Sequence, residues 1–599
     1  YLLEAGWGSN GKIIGVTEPR RVAATTLATR VAEEKGCLLG DTVGYCIRFD
    51  DRFDPQRTKI KYMTEGILLR EMMADPLLRN YSVIMLDEVH ERTLYTDIAM
   101  GLLKKILRLK LIVASATVDA EQLYRFFNHN SSKDKSQDTA VIMSIEGRLY
   151  PVDIHYIKEK PVPDYVKATV DTVIKIHLNE PMGDILAFLT GQDEVDRAVR
   201  LPKRNKYCHE KVKLLVLPMY GSLPNSEQLK VFRSTPRGLR KVVIATNIAE
   251  TSITISGIVY VIDCGFVKLC WFNPEAHVDS LVIVPISQAS ADQRAGRAGR
   301  VRSGKAYRLY PVEEYNKLSE ATPPEMQRTD LSMAVLQLKA LGIDNILRFS
   351  FPSPPPARNL QSALELLFAL EAIGSIGQLT KPIGISIAEF PISPLFSKSL
   401  IISDEFGCSE EILTIIAMLQ VQNVFIKPIS GQASIKARVE RRKFEVEEGD
   451  LLTLLNVYNA FIKHDMSKDW CNKYFLNYKG LTRACEIRTQ MSRLLQRFNV
   501  SLVSCNGDTE KVCKAITAGF FPNAAFLHYS GVYKTVRGDQ VLHISPNSVL
   551  YTQKQPKWVL FCKIVQTDQA YMMDLTVVSP SWLEELAPHF YEKTIDRDY

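Results

Sequence analysis

The chain runs twice through the same alternation of apolar, strand-like runs and helical stretches, and this repetition limits its fold more than any other feature. From residue 11 to about 145 the order is KIIGVT, helical RRVAATTLATRVAEEKG, TKIKYMT, helical EGILLREMMADPLL, YSVIMLD and KLIVASAT. From about 150 to 320 the pattern recurs with GDILAFLT, LLVLPMY, KVVIAT, GIVYVID and GKAYRLY. Strands joined through helices pair in parallel, with the helices covering the faces of the sheet. Two consecutive doubly wound α/β domains are therefore predicted, over 1–145 and 146–322.

At 323 the texture changes. PPEMQRTDLSMAVLQLKALGI reads as helix, FPSPPPA (351–357) as a Pro-rich turn, and LQSALELLFALEAIG as helix again, giving a third region over 323–393. Residues 394–505 read as helices throughout, including EEILTIIAMLQV, GDLLTLLNVYNAFI and YKGLTRACEIRTQMSRLLQRF. From 506 to 599 short alternating strands follow (VYKTVRG, QVLHISP, PKWVLFCKIVQT, YMMDLTVVS), at the spacing of a small β barrel. The 599 residues also suggest several domains, since one domain takes ~150. A net charge of +7 permits a polyanionic partner without requiring one. The eleven cysteines form no C-x-x-C and no zinc spacing, which suits a reducing compartment and argues against a structural metal. The most apolar run, ILTIIAMLQV (412–421), contains Thr and Gln and falls short of the ~18–20 residues of a membrane span, so no membrane partner is expected.

Near the start, GWGSNGK (6–12) matches the first part of the phosphate-loop pattern G-x-x-x-x-G-K-[ST]. That pattern needs a hydroxyl after the lysine, and Ile13 stands there. The context is also reversed, because a phosphate loop follows a strand and opens a helix. GWGSNGK is read as a turn between helix and strand, and a phosphate loop has to lie elsewhere.

Five stretches carry chemistry. YSVIMLDEVHERT (81–93) is an apolar strand ending in Asp87 and Glu88, and the carboxyl ends of parallel strands face the ligand crevice. Adjacent acids there suit a metal ion and a water to be polarised, although two solvated acids look the same in sequence. In QASADQRAGRAGR (288–300), Gln293, Arg297 and Arg300 are spaced i, i+4, i+7, one face of a helix. An amide and two guanidiniums suit a transferring phosphoryl group, while a solvated basic helix is the plainer alternative. LIVASATVD places Ser115 and Thr117 after another strand, KVVIATNIAETSITI repeats the strand-then-polar-loop form, and GVTEPRRVAA sets Arg20 and Arg21 at a strand-to-helix junction suited to phosphate.

Taken in order, TEPRR, TEG, DEVH and SAT, then LTGQDE, ATNIAETS and QRAGRAGR, resemble the motif series of the DEAH-box (DEAH/RHA) superfamily 2 RNA helicases. The resemblance covers essentially the whole chain and is nearest to a spliceosome-associated member. It implies two RecA-like α/β domains in tandem, then winged-helix, helical-bundle (ratchet) and OB-fold β-barrel domains. It also implies that the family's phosphate loop, with its lysine and threonine, precedes a helix ending at YLLEAGW. The joins at KKILRLKLIV and AVRLPKRNKYCHEK look shortened against the family.

Carried onto this sequence, the resemblance assigns Asp87 to Mg²⁺ (through water) and Glu88 to the attacking water. His90 and Ser115 then couple the site to the second lobe and RNA. Gln293 positions water, Arg297 and Arg300 reach the β- and γ-phosphates of ATP, and Arg30 with Phe232 sandwiches the base. Single-stranded RNA would be held by Arg20, Arg48, Thr64, Thr190, Thr246 and Asn247, mostly at phosphate and sugar. IRFDD (47–51) resembles the family's hook-shaped turn, and FVKLCWFNPEAHVDSLVIVPI its strand-separating hairpin. KGLTRACEIRTQMSRLLQR would flank the RNA channel. Departures are Val89 for Ala, Glu18 for Gln, Glu65 for Asp and Ser256 for Asp, the last two bearing on RNA contact. The expected function is ATP-dependent 3′→5′ RNA translocation that remodels ribonucleoproteins such as the spliceosome, in the nucleus, with a G-patch protein as activator. A non-catalytic spliceosomal scaffold and a DNA-directed helicase are the alternatives.

Overall fold

The computed structural model describes residues 1–591 apart from 117–119, 133, 146, 148–149, 159–162, 201–212, 222, 224, 251–254, 276, 422–423, 427, 429–430 and 567–568, and the side chains of 225–226. Thr117, the TSIT run at 251–254 and most of the join at 198–211 thus lie outside the described residues.

The first lobe is built on six strands, β1 (Ile13–Thr17), β2 (Val43–Ile47), β3 (Asp50–Arg52), β4 (Ile60–Met63), β5 (Tyr81–Leu86) and β6 (Lys110–Val113). They lie in the order β3-β2-β4-β1-β5-β6. Pairing is parallel except in the β2–β3 hairpin, whose turn is Arg48–Phe49. Helix Arg21–Lys35 lays Ala23, Ala24, Ala28 and Ala32 inward, and these small side chains allow close packing. It ends at Gly36, whose φ of 65° is the left-handed conformation that a helix C-cap uses. The YLLEAGW segment is a run of turns rather than a regular helix. Lys12 gives its ammonium to the Arg79 carbonyl at 2.6 Å.

The second lobe contains β7 (Val152–Tyr156), β8 (Asp184–Phe188), β9 (Lys213–Met219), β10 (Leu239–Ala245), β11 (Ile258–Asp263), the hairpin β12 (Phe266–Asn273) and β13 (Val278–Pro285), and β14 (Gly304–Arg308). Its sheet is wholly parallel, in the order β7-β14-β11-β8-β10-β9. Helices dominate from 325 to 520. A closed barrel follows, made of β15 (Ala524–Leu527), β16 (Tyr533–Thr535), β17 (Val541–Ile544), β18 (Trp558–Gln566) and β19 (Ala570–Val577).

Two local differences from the sequence reading have clear causes. The helix over PPEMQRTDLSMAVLQLKALGI is broken into Glu325–Arg328 and Ser332–Ala340. There the Asp330 carboxylate accepts from the Ser332 amide at 3.1 Å and starts a new helix. Ahead of the barrel strands, Thr509–Phe520 is a helix. It presses on Pro394–Ile402 so closely that a Cβ at Gly519 would lie 2.4 Å from the Leu395 carbonyl oxygen.

Core continuity shows which parts pack together. Leu68, Ile98 and Leu102 of the first lobe share one apolar cluster with Met326, Val335 and Leu367. Leu413, Leu452 and Met491 share another with Leu560 of the barrel. The second lobe keeps separate cores on the two faces of its sheet. Its hairpin tip reaches out, burying Val278 among barrel residues such as Leu542 and Phe561. The first lobe therefore packs with the C-terminal half, and the second lobe is anchored to them through a hairpin.

Candidate active site

Strand register brings scattered motifs into one row. Thr17 pairs with Met63 and with Leu86, and Leu86 pairs with Val113. The residues that follow these strand ends are Glu18, Thr64 with Glu65, Asp87 with Glu88, and Ala114 with Ser115. They lie side by side at the carboxyl edge of the first sheet, where a doubly wound sheet binds its ligand.

That edge is a wall of acids. Asp87 accepts the Glu88 amide at 2.8 Å, and Glu88 adopts the left-handed conformation with φ 51°. Burial raises the Glu88 carboxyl above the usual range, and the charge of Asp87 adds to this while His90 and Arg297 oppose it. The His90 side chain is buried. Its Nε2 lies 3.3 Å from the Glu88 carboxylate, and its Nδ1 is 3.4 Å from the Ala116 amide in the loop that carries Ser115. His90 so bridges the acid pair and the SAT loop. Beneath them Glu18 is 1% exposed, and among the described residues neither carboxylate oxygen has a hydrogen-bond partner. Burial pushes its pKa up to about 9, with Asp87, Glu88 and Glu65 adding to the effect. A neutral carboxyl fills the place where the family carries a glutamine, which is close in shape. Glu65 is likewise pushed up to about 8 by burial.

The facing wall belongs to the second lobe. The expected single helix through Gln293, Arg297 and Arg300 is corrected by the structure. The helix Gln288–Gly296 ends at Gly296, and Arg297–Gly299 is a tighter 3₁₀ turn. Gly296 and Gly299 are poor helix formers, and Gly299 packs so closely that a Cβ there would lie 2.5 Å from the Tyr150 carbonyl oxygen. Arg297 donates to the Glu250 main-chain carbonyl. Its pKa is lowered to about 10 by burial and by Arg300, and Glu88 acts in the opposite sense. Arg300 is also lowered by burial and supported by Glu88. Two half-buried guanidiniums, disfavoured by burial and in Arg297 by its neighbour Arg300, gain from a polyphosphate bound against this wall.

Sequence reasoning missed the residue that holds this wall. Arg294 is fully buried and pairs with Glu250 at 2.9 Å and Asp263 at 2.7 Å. Burial works against its charge, yet the two acids more than offset it. Ser290 also donates to the Glu250 carboxylate at 2.5 Å. Nothing in RAGRAGR distinguishes the fully buried arginine from the two half-buried ones; the acids that take it lie 31 and 44 residues away in sequence.

Comparison with known proteins identifies the family. The chain is 57% identical over 601 residues to the human protein named "Probable ATP-dependent RNA helicase DHX35", covering 99% of this chain and 85% of that one. The chain belongs to the DEAH-box RNA helicases. The Pongo abelii relative of the same name is also 57% identical, with 83% of it covered. The Caenorhabditis elegans DHX35 homolog is 51% identical over 604 residues, with 81% covered. Segments match the helicase conserved C-terminal domain (168–302), the helicase-associated winged-helix (363–392) and ratchet-like (393–454) domains, and the OB-fold (512–591). As a DEAH-box helicase the protein is an NTP hydrolase.

The remaining expected site residues of this DEAH-box chain are spread over both lobes, with Arg48 reaching the helical region at Gln420. Thr190 and Thr246 follow Phe188 and Ala245, which pair in register, so they stand on neighbouring strand ends. The Thr190 hydroxyl donates to Glu194 at 2.8 Å. Asn247 is exposed beside Thr246, and Thr64, on the edge of the first sheet, stands at the N-cap position of helix Glu65–Ala74. Arg48, in the β2–β3 turn, donates to Gln420 at 2.7 Å and lies over the Phe49 ring. Burial and Arg21 lower its pKa to about 10. Arg483 and Gln490 of helix Tyr478–Arg497 both donate to the Phe49 carbonyl, so the expected channel helix does abut the hook-shaped turn. Arg20 does not stand open to a ligand. It bonds Glu91 and two carbonyls of the second lobe. Arg30 is exposed and pairs through Nε with Glu34 one helical turn on, at 2.7 Å.

The donor set fits Mg²⁺ held with a nucleotide. Among the described residues no cluster of three or more His, Cys, Asp or Glu could hold an ion alone. Mg²⁺ favours one or two carboxylates, water and phosphate over a protein cage, and Asp87 supplies one such carboxylate at the acid wall.

Proposed function

We propose that the protein is a motor that steps along single-stranded RNA in the 3′→5′ direction and uses ATP with Mg²⁺ to remodel ribonucleoproteins. The observation that carries this reading is the opposition of Glu88 on one lobe to Arg297 and Arg300 on the other, each influencing the other's charge. Bound Mg²⁺ would supply a Lewis-acid charge on the phosphates, held by Asp87. Glu88, kept in place by the backbone turn and by His90, takes a proton from water; its raised pKa suits it to that task. Arg297 and Arg300 grip the phosphates from the second lobe, which closes the cleft. When that grip ends, the second lobe is released relative to the rest, pivoting on its hairpin tip.

Arg48, Thr64, Thr190, Thr246 and Asn247 lie on both sides of the moving boundary and would hold the RNA backbone. Phosphate and sugar contacts give affinity without sequence choice. The resemblance to spliceosome-associated relatives supports nuclear work on a splicing ribonucleoprotein, and a glycine-rich G-patch protein spanning the winged helix and second lobe as activator. The test is ATP turnover of the complete protein with single-stranded RNA, single-stranded DNA or neither, with and without a G-patch peptide. Stimulation by RNA above DNA is expected. Equal stimulation would point to a DNA-directed helicase, and no turnover at all to a scaffold.

A further inference from the structure

A phosphate-binding arginine is expected to face the RNA groove, but the Arg20 guanidinium spans the two lobes. Its Nε lies 3.2 Å from the Glu91 carboxylate in the first lobe. Its Nη1 donates to the carbonyls of Asn247 at 3.1 Å and Ile248 at 2.8 Å in the second. Main-chain acceptors report the position of the backbone itself. The turn they belong to continues without a break into the arginine wall: the Glu250 amide donates to the Asn247 carbonyl at 3.0 Å, and the Glu250 carboxylate and carbonyl take Arg294 and Arg297.

We propose that Arg20 is a positioning residue that ties the 247–250 turn of the second lobe to Glu91 of the first, and so sets the register in which Arg297 meets Glu88. Glu91 is three residues from Glu88 on the same short turn, so both ends of the tie are attached to the hydrolytic groups. The forked guanidinium is needed because one group must reach a carboxylate and two carbonyls at once. Arg20 is partly exposed, so its replacement does not empty a buried site. The inference rests on the nucleotide-hydrolysis reading above.

The experiment measures ATP turnover of the complete protein without RNA for the parent, Arg20→Gln, Arg20→Lys, Glu91→Gln and the Arg20→Gln/Glu91→Gln double variant, with melting temperatures as a check on folding. Arg20→Gln is expected to lower kcat about 10-fold with little change in KM for ATP, within the range of coupling between sites. Arg20→Lys should recover only part of the loss, and the double variant should lose little more than either single one. Unchanged RNA-free turnover in Arg20→Gln, with only a weaker response to RNA, would make Arg20 a phosphate ligand and overturn the proposal; so would strictly additive losses. A parent protein that does not hydrolyse ATP would defeat the functional reading rather than the tie.

Discussion

Glu88 at the end of β5 and Arg297 on the 3₁₀ turn of the opposite lobe interact across the cleft, each stabilising the other's charged form. Neither is otherwise ideally placed to be charged, since burial works against both. An arrangement of this kind is held only when the surrounding structure enforces it, and it gains most when a phosphate and a polarised water come between the two.

Replacing Glu88 by Gln keeps the size of the side chain and removes the base. ATP turnover is expected to fall by ~10²–10⁴, the usual range for a general base, with nucleotide affinity retained. Phosphate release together with equilibrium nucleotide binding measures both; brisk hydrolysis by Glu88→Gln would remove Glu88 from the mechanism.

Arg297→Ala should cost more than a surface arginine does. Loss of a transition-state guanidinium in phosphoryl transfer lowers the rate by ~10³–10⁵. Single-turnover hydrolysis at saturating ATP reads that loss directly, and a change of less than about tenfold would place Arg297 outside the reacting phosphates.

Arg294 makes a contrasting prediction. Arg294→Met leaves Glu250 and Asp263 without their buried partner. Breaking a buried pair from one side costs ~3–5 kcal/mol. The second lobe is expected to melt at markedly lower temperature by calorimetry, along with a loss of activity; a variant as stable as the parent would show that the two acids find other partners.

Glu18 predicts a pH dependence of stability. Its folded pKa is about 9 against an ordinary 4.5, so between those values the folded chain keeps a proton that the unfolded chain has released. Stability is therefore lost as pH rises through that window, by at most ~1.4 kcal/mol per unit. Glu18→Gln should melt higher than the parent at pH 8, and the gap should close toward pH 5. A gap that stays constant with pH would mean that Glu18 does not carry the proton.

Arg48 tests the RNA groove. Arg48→Ala should weaken single-stranded RNA of any sequence alike and reduce the salt slope of binding by about one. Binding titrations at several salt concentrations decide this, and a loss confined to one RNA sequence would argue for base contact instead.

The alternation of strands and helices, the later helical stretch and the run of short strands already determined the fold class, because periodicity and turn residues are local properties. The motif residues were legible for the same reason: Asp87, Glu88 and Arg297 each sit beside a strand end or glycine that the sequence displays. Register and burial were not legible. Only the pairing of Thr17 with Leu86 and Met63 sets Glu18 beneath the acid pair, with no hydrogen-bond partner for its carboxyl among the described residues. Only the folded chain shows the arginine helix ending at Gly296 and passing into a 3₁₀ turn whose Gly299 packs on Tyr150. Arg294 and Arg20 look like their neighbours in sequence, but tertiary contacts with distant acids and carbonyls make one a buried brace and the other a bridge between lobes. Such pairings depend on which surfaces the chain brings together across dozens to hundreds of residues, and no local pattern carries that information.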